Sequence, residues 1–166
     1  MKLSIRGRGL ALVVASAAIL AMPFAAPASA LTSSVACSKE SSTLKNGKAT
    51  STFSGCTPAA LKLGGTGVSP KTPPPGTKKG QIALTITWNG GKGKTTVAFG
   101  FTTQKTRGKC QAGTSRLAAK GSVKSATGAV ASITKKNEPV TASVCVYTSG
   151  PKLGQSNVEP GTKFKL

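Results

Sequence analysis

The chain has 166 residues, with 23 Lys or Arg, three acidic residues and no histidine, for a formal charge of +20. All three acids are glutamates (Glu40, Glu138, Glu159), so Ser-His-Asp and Cys-His catalytic groups are excluded and any general base must be Glu or Lys. The charge draws polyanions of every kind, but lysine outnumbers arginine, and an ammonium cannot read base edges as a guanidinium fork does; sequence-specific nucleic-acid recognition is not expected.

The first elements form an export leader. Lys2, Arg6 and Arg8 precede an apolar run from Leu10 to Met22, too short to span a bilayer, and Ala28-Ser29-Ala30 has the small-x-small pattern of a signal-peptidase site. Cleavage after Ala30 leaves one domain, residues 31–166, expected outside the cell or at its envelope. Taking the leader's three basic residues off +20 leaves +17. No later segment approaches membrane-spanning length.

Beyond the leader, helical periodicity is nearly absent, and Thr, Ser, Val and Gly dominate. Short strands are expected at Ser33 to Ser38 and at Lys48 to Ser54, the latter with Phe53 inward. Thr57 to Gly65 carries a cap-like Thr, then Pro58 and closing glycines, and predicts a helical turn or two. Gly67 to Gly80 holds four prolines and reads as an extended surface connection, with Pro73-Pro74-Pro75 as a segment that a groove-bearing partner could take.

The clearest signal is a hairpin. Ile82, Leu84, Ile86 and Trp88 alternate with small residues, Val97, Phe99 and Phe101 do the same, and Asn89, Gly90, Gly91 and Gly93 between them tolerate positive φ. The Gly-Lys-Thr inside this turn imitates a phosphate loop, but Trp88 stands where such a loop needs glycine, so Lys92 and Lys94 read as decoration of a hairpin tip. Further strands are expected at Leu117 to Lys124, Ala129 to Lys135, Val140 to Tyr147 and Thr162 to Leu166. In the third of these, Val140, Ala142, Val144 and Val146 share one face and Cys145 lies on the other. About eight strands separated by Gly and Pro turns predict an all-β antiparallel sandwich, immunoglobulin-like or similar, with a small β-barrel as the alternative.

Cys37, Cys56, Cys110 and Cys145 in an exported chain predict two disulfides. Three pairings exist on paper, and the local one joins Cys37 to Cys56 and Cys110 to Cys145. With no histidine and no short Cys spacing, no metal site is expected, and no cofactor. Glu138 and Glu159 sit beside Pro139 and Pro160 in turn-like surroundings and read as solvated surface carboxylates rather than a hydrolytic pair. Ser-x-x-Lys occurs three times, about as often as chance gives in so Ser- and Lys-rich a chain, and without the companion elements of a Ser-Lys enzyme. No catalytic residue is assigned.

The leader, the Gly/Thr/Ser/Ala-rich strands, "FSGC" (Phe53 to Cys56) and "ITWNGGKGKTTVAF" (Ile86 to Phe99) together resemble the small exported β-sandwich proteins of actinomycete bacteria, of uncharacterised function. That resemblance implies a fold and an address, and carries over no binding residue. A more distant likeness in composition is to secreted two-disulfide apoproteins that carry a chromophore, from which this chain departs in its wide cysteine spacing and cationic balance.

The expectation is therefore a secreted, non-enzymatic binding or surface-associated module whose lysines engage anionic envelope polymers or other polyanions. Its candidate contacts are Lys78 and Lys79, Lys105, Arg107 and Lys109, and the hairpin tip with Trp88, Lys92 and Lys94. Trp88 continues the apolar register of its strand and is also expected in the core. The alternative is a carrier or inhibitor that binds one small ligand or protein partner independently of charge.

Overall fold

The hairpin forms as its alternation requires. In a computed structural model, which describes residues 34–166, β4 (Lys79–Trp88) and β5 (Gly93–Thr103) pair from Lys79 opposite Thr102 to Trp88 opposite Gly93. Gly90, Gly91 and Gly93 all take positive φ, the backbone freedom the turn needs. The expected leader and its cleavage site after Ala30 lie outside the described residues.

The other strands are β1 (Ala36–Lys45), β2 (Lys48–Thr57), β3 (Gly65–Ser69), β6 (Thr114–Ala126), β7 (Pro139–Tyr147), β8 (Ser156–Val158) and β9 (Phe164–Lys165). Each of β1 to β7 pairs antiparallel with the next strand, and β8 also pairs with β1, so the sheet closes on itself. β9 lies in the same gap as β8, bonding Thr141 of β7 and Ala36 and Cys37 of β1, so β8 and β9 are two lengths of one stave interrupted at residues 159–163. The result is a closed eight-stranded antiparallel barrel.

The barrel corrects the expected sandwich. Alternating apolar and polar residues look the same in either architecture, because each strand has one buried face in both. What decides is the bonding of Ser41 and Ser42 to Asn157 and Ser156, across more than a hundred residues of chain, and Ser42 Oγ and Ser156 Oγ lie 2.6 Å apart at that seam. Closure removes the free sheet edges that a sandwich must otherwise protect.

Two expected elements change. The strand foreseen over Ala129 to Lys135 is a 3-10 turn, Gly128–Ser132, pinned across the hairpin tip by Thr127 N–H to Lys94 O (2.8 Å) and Val130 N–H to Lys92 O (3.0 Å). Gly128 and Gly93 meet backbone to backbone there, both at positive φ, and a side chain at either would strike the other segment. Thr57 to Gly65 supplies a single 3-10 turn, Ala59–Leu61, followed by β3, whose five residues take the start of the proline-rich connection into the sheet. Sequence periodicity missed β8 as well as β3; both are too short to show a pattern.

Both disulfides are the local pairs, Cys37–Cys56 and Cys110–Cys145. Cys37 and Cys56 face each other across β1 and β2. Glu40 and Phe53 point inward higher on these strands, but the next residues, Ser38 and Lys39 on β1 and Ser54 and Gly55 on β2, are all exposed. Gly55 takes φ +60 in this stretch, and the buried set changes phase so that both cysteines join the core. Cys145 is on the outer face of β7, as its register predicts, and fastens the loop between β5 and β6 to the barrel wall.

The interior has two unlike halves. At the end where β4 and β5 turn, Ile86, Trp88, Val97, Val123, Val130 and Leu166 fill the barrel. At the other end, where β1 meets β2 and β4 begins, the interior is hollow.

Candidate functional site

The hollow is a cavity of about 300 Å³. Its apolar wall comes from the middle strands, with Ile82, Leu84, Phe99, Phe101, Leu117 and Val144 facing in. Its polar wall comes from β1, β2 and β8, where Glu40, Ser42, Ser51 and Ser156 face in. The difference follows from the sequence of each strand: at this end β4 and β5 turn Ile82, Leu84, Phe99 and Phe101 inward, whereas β1 and β2 set Glu40, Ser42, Ala49 and Ser51 among their inward Leu44 and Phe53. Gly67 on β3 leaves room for neighbouring side chains, since a Cβ in its place would sit 2.9 Å from both Leu84 and the Phe53 ring.

The proline-rich segment roofs the cavity, and Pro73, Pro74 and Pro75 all line it. It is fastened to the barrel by Thr72 N–H to Gly47 O (2.7 Å), by Ser69 Oγ donating to Lys71 O (3.1 Å), and by its own turn, Thr77 Oγ1 to Pro74 O (2.7 Å). Proline rings close off space without backbone donors that burial would strand.

Glu40 is the candidate site residue that the sequence did not reveal. Its side chain is 8 % exposed and lines the cavity, and its Oε2 is buried with no hydrogen-bond partner. Burial pushes its carboxyl up to about 7, against a smaller downward pull from the Ser51 hydroxyl. The signal available was weak: "SKESSTLK" has no large apolar alternation, so nothing marked position 40 as inward.

Glu159 is the opposite case. It was expected to be solvated, and it is buried instead, between β8 and β9. Its Oε2 accepts from Ser143 Oγ (2.5 Å) and Arg116 Nε (2.8 Å), and its Oε1 from the Lys109 backbone N–H (2.8 Å). The Ser143 bond first, then the Lys109 amide, and Arg116 as well, hold its carboxyl below the usual range. With both oxygens bonded to protein donors, Glu159 ties the β5–β6 loop to the interrupted stave. Glu138 is half-buried, and its Oε2 accepts from the Lys135 backbone N–H (2.8 Å). The three glutamates share no site.

The cationic candidates are dispersed. Lys78 and Lys79 stand at the roofed end, where Lys78 reaches the cavity rim; Lys105, Arg107 and Lys109 are exposed on the β5–β6 loop; Lys92 and Lys94 are at the opposite, packed end. Trp88 is 2 % exposed, its Nε1 donating to Thr95 Oγ1 at 2.9 Å, so its ring packs in the core and offers no face to a ligand at the surface. The fold does bring Lys120 to a pair far from it in sequence: Lys120, Lys163 and Lys165 border one groove on the outer wall.

Among the described residues no group of side chains could hold a metal ion, and no helix is long and apolar enough to cross a membrane. Compared with protein-family models, with curated proteins and with solved structures, the chain matches none. The fold and cavity therefore define the class by themselves: a disulfide-stapled eight-stranded barrel with a roofed, largely apolar chamber.

Proposed function

We propose that the protein is a non-enzymatic carrier that holds one small, mainly apolar molecule inside its barrel. The observation that supports this reading is the 300 Å³ cavity, apolar on most of its wall and roofed by a pinned loop. Barrels of eight strands have room either for packed side chains or for one small ligand, and here one half has taken each course. An apolar void of about 150 Å³ holds a benzene ring, so the chamber suits a molecule of about twice that bulk. Two disulfides suit an exported carrier, whose shell must survive without cellular maintenance.

The test is calorimetric titration with a neutral apolar probe, propylbenzene. One equivalent should bind with a negative heat-capacity change, and Ala142→Leu, which projects a larger side chain into the chamber, should abolish binding while the barrel still folds. Unchanged binding in that variant would place the probe elsewhere and end the carrier reading.

A second reading keeps the lysine field as the functional feature, with anionic envelope polymers or other polyanions as partners. The outer groove with Lys120, Lys163 and Lys165 favours it. Retention on anionic polymer should fall steeply with salt and fall further when these three are changed to glutamine. Retention indifferent to ionic strength would remove that reading.

A further inference from the structure

We propose that Glu40 is the polar anchor of the chamber and that the natural ligand is an apolar amine, its hydrocarbon body against the middle strands and its charged nitrogen donating to Oε2. The inference rests on the carrier reading and adds the ligand's chemistry to it. Glu40 lines the chamber, and its Oε2 is buried and unmatched by any donor, although buried polar atoms in folded proteins nearly always find one. The groups around it are hydroxyls and apolar side chains: Ser42 on its own strand, Ser51 and Phe53 on β2, Ser156 on β8 and Phe164 on β9. Among the cavity-lining side chains the one other charge is Lys78, which is exposed at the rim. Glu159 shows what this chain does with a buried carboxylate that is structural: it surrounds it with Ser143, Arg116 and the Lys109 amide. Glu40 has only the Ser51 hydroxyl beside it and no donor at Oε2, which leaves that oxygen to accept from what enters the chamber.

An ammonium group supplies that donor and the counter-charge together, and a charge-assisted bond is about twice as strong as a neutral one. Burial favours the protonated carboxyl up to about pH 7, so an amine binding below that pH must displace the Glu40 proton.

The experiment titrates the full barrel with 2-phenylethylamine and with propylbenzene, which have the same shape but differ in the terminal nitrogen, at about 0.3 M salt to screen the lysine field. Wild type and Glu40→Gln are compared with both probes, so that the cost of dehydrating each probe cancels. Glu40→Gln should weaken the amine by about tenfold or more and leave propylbenzene unchanged. With wild type at pH 6, the amine should release close to one proton, read from buffers of different ionisation heat, and its affinity should rise toward pH 8. The proton count needs no variant, so it decides the matter even if Glu40→Gln folds poorly. Propylbenzene binding alone, or amine binding that releases no proton and ignores Glu40→Gln, would overturn the amine proposal and leave the carrier reading standing. Binding of neither probe would overturn both.

Discussion

The two halves of the barrel interior are built from the same strands and end differently. At the packed end, β4 and β5 contribute Ile86, Trp88, Thr95 and Val97, and the chain outside the barrel adds Val35, Val130 and Leu166 as a plug. At the roofed end the same two strands contribute Ile82, Phe99 and Phe101, but β1, β2 and β8 oppose them with Ser42, Ala49, Ser51 and Ser156, and the proline segment covers the gap without filling it. The comparison teaches that the circumference is fixed by strand number, while occupancy is fixed by side-chain volume and by what the connecting segments insert. Stability should therefore concentrate at one end and binding at the other.

The packed half supplies the largest expected effect. Ile86→Ala should cost about 4 kcal/mol in denaturant unfolding, because it opens a void where the surroundings are dense, and a loss near 1 kcal/mol would show that this half is not packed as described. Opening the Cys110–Cys145 staple by changing both residues to alanine should cost about 3 to 4 kcal/mol, from the loop-closure entropy of a 35-residue separation. Glu159→Ala should cost about 3 kcal/mol by leaving Arg116, Ser143 and the Lys109 amide without their acceptor.

The hollow half should behave in the reverse sense. Glu40→Gln should stabilise the empty protein by about 2 kcal/mol at pH 8 and by little at pH 4, since it removes a carboxyl that must ionise while buried. The sign follows from the folded value lying above the unfolded one: the Glu40 contribution is intact below the ordinary carboxylate range and is lost as pH rises toward and through about 7. Glu159 has a lowered value, so its stabilisation is present above the ordinary range and is lost as pH falls through the folded value. Urea midpoints of the two variants measured between pH 3 and pH 8 should move in opposite directions across that interval, and parallel curves would dissolve the distinction between the two carboxyls. The smallest effect belongs to Leu117→Ala. It lines a space already open, so it should cost about 1 kcal/mol while widening the range of probes that bind.

Much of the strand pattern of this barrel is legible in the amino-acid sequence. The β4–β5 hairpin was written in Ile82, Leu84, Ile86, Trp88 and the glycines of its turn, and the inward face of β7 in Val140, Ala142, Val144 and Val146. The pairing of Cys110 with Cys145 was the local choice among three. β1 beyond Ser38 was not legible, because its inward positions are Glu40, Ser42 and Leu44, a set with no contrast against the outward Lys39, Ser41 and Thr43. The Ala129 to Lys135 segment read as a strand because its residues suit one, and tertiary packing against the hairpin tip overrode that propensity.

The sequence by itself determined an all-β chain, cationic, with four cysteines to pair and without the residue types for histidine or aspartate chemistry. These are properties of composition and of short-range periodicity, which act between neighbours along the chain. Only the tertiary structure decided that the sheet closes into a barrel, that a cavity survives at one end, and that Glu40 Oε2 is buried without a donor while the Glu159 carboxylate is buried with three. Each depends on contacts between residues far apart in sequence, such as Ser42 with Ser156 and Arg116 with Glu159, which bring groups together only when β8 and β9 complete the last stave against β1.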